Sequence, residues 1–490
     1  MNAGDVGSLA PELALTAGGV LILLADAFLP AARRAFTGLA LLACGAAAWA
    51  AVARTPAGAS FGGLLEATPV TRALSLVVLL AAAISLLASQ GYLRRERILT
   101  GEYHALLLWC AAGLLLMLRA TELLTVFLSL ELLSLCLYPL AAFHRRVNLA
   151  TEAAIKYFLM GAFVSAFVLY GIALVYGATG STRFEAIARA FHSGGAAVAG
   201  VPGTPGISVL ASLGVLLLVA GFGFKMSVVP FHAWAPDTYQ GAPSPFVAFL
   251  SVAPKAASAM VLFRVLEAVT MGAGGIAGGR WSRVVALLAV ASMVTGNLLA
   301  LAQRDIKRML AYSGIAHMGY LLLALVVLDR RSLGPVVVYL LAYVLMNSGA
   351  FAVVAMLYAR PGEQHLISDL AGWGYRFPLL GACLTVSMLS LAGIPPTLGF
   401  FGKYLVFLNA VSDGLTGLAV VGVLASLVGV FYYLRVVYVL YMRPETRQPE
   451  GLLIDGWGRA AAVLAALGTL ALGIWPARLL DWLLQGPLRP

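Results

Sequence analysis

The sequence predicts an all-α membrane protein of about fourteen transmembrane helices, with two inverted five-helix repeats that each contain a discontinuous helix. Three observations carry this. The 490-residue chain is 61% hydrophobic and only 11% charged, with a mean hydropathy of +0.94, far from the composition of a soluble globular domain. Its apolar residues fall in runs near the ~20 residues that a helix needs to cross ~30 Å of hydrocarbon. Two of those runs are interrupted by proline and glycine at matching places. Backbone groups in lipid must be satisfied internally, so long apolar runs mean helices; the short alternating segments of a membrane barrel are absent.

The expected spans follow in order. Residues 8–29, 35–53 and 70–91 make an N-terminal unit over 1–102. Spans 103–119, 122–142, 152–177, 207–240 and 243–268 make the first repeat, 103–268. Spans 283–303, 307–328, 334–359, 377–411 and 415–442 make the second, 283–442, and a last span at 458–484 opens the C-terminal unit 458–490. An odd number of crossings per repeat forces the second to be inverted relative to the first. The first span reads as a membrane helix rather than a cleaved leader: Asp5 and Glu12 open it, and Arg33 and Arg34 follow it. Arg94, Arg95, Arg97, Arg145, Arg146, Arg304, Lys307, Arg308, Arg443 and Arg447 fall on that same side, against Arg183, Arg189, Arg330 and Arg331 on the other. With fourteen crossings, the bias predicts both termini outside.

The formal net charge of +11 is scattered over helix ends, with no basic stripe, so topology and anionic lipid explain it better than nucleic acid. Cys44, Cys110, Cys136 and Cys383 stand singly in apolar helices and read as small core residues. With no CxxC pair, iron–sulfur spacing, haem motif or phosphate loop, no cofactor or metal is expected in this chain.

The breaks lie in GFGFKMSVVPFHAWAPD (221–237), with Pro230 and Pro236, and in LAGIPPTLGFFGKY, with Gly393, Pro395, Pro396 and Gly399. Each proline removes a backbone donor, and irregular backbone at membrane depth is tolerated only beside protein or water. Paired breaks of this kind point to a transporter-like site between repeats.

Five of the 32 basic residues are lysines, and four of them, Lys156, Lys225, Lys255 and Lys403, lie in apolar segments. An amine can lose its proton when desolvated, whereas a guanidinium stays charged. Glu131, Lys225, Lys255, His317 and Lys403 each sit deep in a different span, where a lone charge costs roughly 2.5–3.5 kcal/mol. They are the candidate proton-carrying residues. Glu131 and Lys225 could instead form a structural ion pair, although buried pairs seldom add net stability. Lys156 is equally explained by an i,i+4 pair with Glu152, and His317 by a hydrogen-bonded core position. His232 reads as part of a polar turn. Asp305, Arg304, Lys307 and Arg308 read as a solvated, topology-setting loop.

The stretch GFGFKMSVVPFHAWAPDTYQGAPSPFVAFLSVAPKAA resembles the antiporter-like membrane subunits of proton-pumping NADH:quinone oxidoreductase, respiratory complex I. QRDIKRMLAYSGIAHMGYLL and GIPPTLGFFGKYLVF are similar to the same family, and the likeness runs along essentially the whole chain. PDTYQGAP and GIPPTLGFFGK are most similar to its subunit N branch. The resemblance implies a fourteen-helix bundle with one half-channel per repeat. It also implies a Glu131–Lys225 pair, a central Lys255 and a terminal Lys403, with His317 on a polar axis between them. Partners implied are the other membrane-arm subunits of the complex, lipid, protons and water; NADH, FMN, iron–sulfur clusters and quinone belong to partner subunits. The expected mechanism moves protons from the cytoplasmic side through Lys255 and His317 to Lys403, with Lys225 repelling a like charge on Lys255 at a few ångströms. Two alternatives stand beside it: a subunit of a multisubunit sodium/proton antiporter, and a structural subunit that does not conduct.

Overall fold

The structure is a computed structural model that describes residues 3–55, 57–192, 205–270, 279–326, 330–357, 365–445 and 454–477. Arg447 and the ends of the spans expected at 307–328, 334–359 and 458–484 lie outside the described residues.

The chain begins with α1 (Ala3–Ser8), α2 (Ala10–Phe28), α3 (Phe36–Ala53) and α4 (Pro69–Arg95). Between α3 and α4, a small antiparallel hairpin pairs β1 (Gly58–Ser60) with β2 (Leu65–Ala67). Helix α4 starts where the sequence has Thr-Pro: Thr68 caps the Thr71 amide, Thr71 returns the bond, and Pro69 takes the first turn, where no donor is lost. It is a buried pillar, packed against α3, α5, α11, α12 and α21.

The next stretch holds α5 (Gly101–Arg119), α6 (Leu123–Ala141), α7 (Asn148–Thr179), the short α8 (Phe184–His192), α9 (Pro205–Met226), α10 (Trp234–Gly241), α11 (Ser244–Leu250) and α12 (Ala253–Thr270). It is followed by α13 (Arg280–Ala302), α14 (Ile306–Leu325), α15 (Leu333–Tyr343), a π-helical turn at Val344–Ser348 and α16 (Gly349–Leu357). The chain closes with α17 (Trp373–Arg376), α18 (Pro378–Ala392), α19 (Leu398–Ser412), α20 (Thr416–Met442) and α21 (Gly456–Ile474). Twelve helical segments among the described residues are long and apolar enough to cross a membrane. Helices α14, α18 and α19 are not among those twelve.

Both expected interruptions are present. Helix α9 stops at Met226, Ser227 adopts a left-handed φ of 61°, and the Val229–Pro230 bond is cis before α10 resumes. Pro236 belongs not to the break but to the first turn of α10, where its missing donor costs least. Helix α18 ends on Gly393 at φ 84°, and a cis Pro395–Pro396 bond precedes α19. A third interruption was not expected: the eighth span turns at Ser251, so that Pro254 and Lys255 stand in the first turn of α12 rather than inside a continuous helix.

Burial sorts the helices. The segments Ser244–Thr270 and Leu333–Leu357 are almost wholly enclosed by protein. The outer faces of α7 and α20 instead present Leu159, Phe163, Leu427 and Phe431 outward, as expected beside lipid or a partner helix. Cys44, Cys110, Cys136 and Cys383 are buried and unbridged, as the sequence predicts.

Candidate proton-carrying site: a lysine–aromatic–histidine file

Glu131 stands on α6 and Lys225 on α9, and no ion pair joins their side chains. The Lys225 amine donates to Ser134 Oγ at 2.8 Å, three residues along α6 from the carboxylate, and Glu131 Oε1 has no protein partner. The closed pair expected from the sequence is therefore open: a serine hydroxyl has taken the carboxylate's place. The amine also lies 5.8 Å from the ring centres of both Tyr138 and Tyr157, a distance at which the ring faces attract a cation.

Aromatic rings continue from there. Tyr157 stacks on Trp234 at 4.7 Å and 24°, and Trp234 meets Tyr239 edge-on at 6.3 Å. The Trp234 indole donates to Phe224 O at 2.8 Å, which ties α10 back across the break to α9. Lys255 follows, 5.7 Å from the Tyr239 ring centre and 5.9 Å from that of Tyr343. It is 0% exposed, and its amine has no protein hydrogen-bond partner. The buried hydroxyls of Tyr239, Tyr343, Ser313 and Thr238 also lack protein partners. Leaving each such group unsatisfied costs about 1–3 kcal/mol, so a cluster of them is a place that ordered water stabilises.

Lys255 reaches this position because α14 has a glycine opposite it. A Cβ on Gly314 would come within 2.7 Å of Tyr343 Oη and 3.0 Å of the Lys255 amine. Tyr343 then leads to His317, their ring centres 5.1 Å apart. His317 Nδ1 is 2.6 Å from Tyr339 Oη and Nε2 is 3.1 Å from Tyr433 Oη. A neutral imidazole donates from one nitrogen and accepts at the other. One phenol therefore donates to the ring and the other accepts from it, so a proton can arrive on one side and leave on the other.

Lys403 closes the file. Its amine lies 5.3 Å from the Tyr320 ring centre, and Tyr320 meets His317 edge-on at 5.8 Å. Lys403 donates to Leu391 O at 2.9 Å, Ala392 O at 3.0 Å and Ser426 Oγ at 2.9 Å. The two carbonyls belong to the last turn of α18, exposed by the second break and carrying the negative end of that helix's dipole. Asn297 braces this end: its amide donates to Tyr320 Oη at 2.9 Å and its oxygen accepts from Tyr432 Oη at 3.0 Å.

Comparison with known proteins decides the family. The model of the family "NADH:quinone oxidoreductase/Mrp antiporter, TM" matches residues 120–429. The NADH-quinone oxidoreductase subunit N of Trichlorobacter lovleyi is 39% identical over 479 residues, covering 97% of this chain and 95% of that protein. The chain belongs to the NADH-quinone oxidoreductase subunit N family. A chain of respiratory complex I from Thermus thermophilus superposes with a TM-score of 0.79 at 35% identity, over 96% of this chain and 99% of that one. A chain of the Mrp complex from Dietzia sp. DQ12-45-1b shares the fold alone, with a TM-score of 0.76 at 21% identity over 100% of this chain and 97% of that one.

In this member of the subunit N family, one of the two remaining lysines follows an expectation and the other departs from it. Lys156, in an apolar run, is 43% exposed at its side chain and bridges Glu152 at 2.8 Å and Asp237 at 3.0 Å, which bears out the i,i+4 pair. Lys307 and Asp305, expected in a solvated loop, are buried, while Arg304 is exposed. Asp305 caps α14 through the Lys307 and Arg308 amides at 2.8 and 3.0 Å, and this helix start is tied to α10 by Lys307 Nζ to Ala242 O at 2.7 Å and by Arg308 to Asp237 at 2.7 Å. His232 lies in the turn of the first break, as expected. Among the described residues no group of three or more His, Cys, Asp or Glu could hold a metal ion.

The sequence reading missed Tyr157, Trp234, Tyr239, Tyr343, Tyr339 and Tyr433. Tyr339 and Tyr343 carry a usable signal, since residues four apart share a helix face and theirs is the face of His317. Nothing in the sequence marks Tyr157 or Tyr433 apart from other aromatics in apolar runs.

Proposed function

We propose that this chain is a proton-translocating membrane-arm subunit of an NADH:quinone oxidoreductase, carrying protons along Lys225, Lys255, His317 and Lys403. A single observation carries the reading: Lys255 is fully enclosed, without a protein hydrogen-bond partner, on a file of rings and hydroxyls that links it to a lysine on either side. An amine so placed gains little from holding a permanent charge and can exchange its proton with water.

The architecture supports fourteen crossings when α14 is counted as one and α18 with α19 as one discontinuous crossing beside the twelve longer segments. Residues 103–268 and 283–442 then form the two repeats, inverted because each crosses five times, with both termini outside. Protons enter from the cytoplasmic side, load Lys255, pass by His317 to Lys403 and leave outward. This chain supplies the protonatable groups; NADH, FMN, iron–sulfur clusters and quinone belong to partner subunits, and quinone reduction there provides the energy.

The geometry changes one part of the expected coupling. Three rings separate Lys225 from Lys255, so the two amines are not adjacent charges. At an effective dielectric of about 20, like charges repel by only about 1–2 kcal/mol once they stand about 10–15 Å apart, less than the ~2.3 kcal/mol per charge against ~100 mV. Direct repulsion biases Lys255 without driving it alone. Movement of Lys225 between Ser134 and Glu131 would alter that bias.

The test is transport by the assembled complex carrying Lys255→Arg or Lys403→Arg. Loss of proton-linked turnover in an intact complex is expected, and undiminished transport overturns the reading. Co-purification with flavin and iron–sulfur proteins separates this function from a sodium/proton antiporter.

A further inference from the structure

Lys307 is a buried amine that the pathway above does not use. It is 2% exposed and donates from Nζ to Ala242 O at 2.7 Å, at the end of α10. Wherever a charge only has to be held near this helix start the chain has arginine, at positions 304 and 308; at the enclosed position it has one of its five lysines.

Its placement relative to Lys255 is direct. Gly314, the glycine that faces the Lys255 amine, lies seven residues after Lys307 on α14. Seven residues are two helical turns, about 10 Å along one face. The intervening wall is α10, which packs on α14. Ala242, which receives the Lys307 amine, bonds back to Thr238 O at 2.9 Å. Thr238 Oγ1 and Tyr239 Oη are both buried without protein partners, and the Tyr239 ring lies 5.7 Å from Lys255. A file thus runs from Lys307 through two unsatisfied hydroxyls to the unsatisfied amine of Lys255.

The charged and titratable groups around Lys307 connect it to the surface. Asp305 heads its own helix and accepts from Gln240 Nε2 at 3.3 Å and from the His365 amide at 3.0 Å. Arg308 holds Asp237 of α10 at 2.7 Å, and Asp237 holds Lys156 of α7. Asp237 and Lys156 are both partly exposed, at the end of α7 that follows Arg145 and Arg146.

We propose that Lys307 is the proton-loading amine for Lys255. In the transfer an N–H bond of the Lys307 ammonium breaks and an N–H bond forms on the neutral Lys255 amine, relayed by water at Thr238 and Tyr239. One positive charge moves inward, and Lys307 is reprotonated from bulk water through the Asp305 and Asp237 cluster. The neutral amine still has hydrogens to donate to Ala242 O, so the end of α10 stays held throughout. An arginine could hold that carbonyl equally but could not release the proton. The inference rests on Lys255 being the central proton carrier.

The test uses the intact complex in its membrane, with Lys307→Gln and Lys307→Arg measured beside Lys255→Arg. Both Lys307 variants should slow proton-linked turnover about tenfold or more at about pH 8, and Lys307→Gln should recover toward the parental rate at about pH 6, where protons reach Lys255 without a loading group. Parental turnover in Lys307→Arg, an equal deficit of Lys307→Gln at both pH values, or failure of both variants to assemble would make Lys307 a structural cap and overturn the proposal. If Lys255→Arg is inactive while the Lys307 variants are parental, this inference alone fails. If Lys255→Arg is itself parental, the central-carrier reading fails with it.

Discussion

The amine of Lys225 is held by the hydroxyl of Ser134, at 2.8 Å, and not by the carboxylate of Glu131. Ser134 lies three residues beyond Glu131 on α6, so the two acceptors sit on one face, about one turn apart. A lysine with two alternative acceptors is suited to a two-position element, because a modest tilt of α6 against α9 exchanges one for the other.

That arrangement makes Ser134→Ala informative. A hydrogen bond to a charged group contributes about 1.5–3 kcal/mol, so its loss should shift Lys225 toward Glu131 and slow turnover severalfold, with assembly intact. Lys225→Ala should abolish proton-linked turnover in the assembled complex; normal NADH-driven pumping in that variant would discredit the two-position element.

Two glycines of α14 should respond differently to a methyl group. At Gly314 the new Cβ meets only the ends of side chains, Tyr343 Oη and the Lys255 amine, which can move aside. Gly314→Ala should therefore assemble normally and turn over more slowly. At Gly319 the Cβ would press on backbone, 2.7 Å from Met293 N and 2.8 Å from Ala289 O, forcing α13 and α14 apart. Gly319→Ala should instead lower the amount of assembled complex, as a native gel would reveal.

The imidazole of His317 works between two phenols. His317→Gln keeps a donor and an acceptor in the same region but cannot pass a proton between ring nitrogens. Turnover should fall by about one to two orders of magnitude if the ring acts as a general acid–base relay. Tyr339→Phe, which removes only the 2.6 Å contact, should fall less. Parental rates in both would leave His317 as a packing residue.

Lys403 stands on the free carbonyls of the second break. Gly393→Ala should disturb it in two ways: an L-residue resists the φ of 84°, and the added Cβ would lie 2.9 Å from Lys403 Cδ. Lower assembly together with slower turnover is expected. Normal yield and rate would mean that the break tolerates rearrangement without consequence for the lysine.

The sequence by itself determined that the chain is helical and membrane-embedded, where its two helices break, and that Lys225, Lys255, His317 and Lys403 are enclosed. These follow from local quantities: the length of an apolar run, the missing donor of a proline, the cost of a charge far from water. The third interruption, before Lys255, was readable in Pro254 but is overridden in a hydropathy profile by the apolar residues around it. For the other two lysines, Lys156 and Lys307, burial was decided only by tertiary packing. From its neighbours Lys156 is open between an enclosed amine and a pair with Glu152, and the structure places it at a helix start among carboxylates. Lys307 looks solvated beside Arg304 and Arg308 but is packed against the end of α10, where the Ala242 carbonyl accepts from its amine. The aromatic file was equally beyond the sequence, because Tyr157, Tyr239, Tyr343 and Tyr433 come from four helices far apart in the chain. Burial and contact depend on which helix faces pack together, a property of the whole bundle rather than of any one segment.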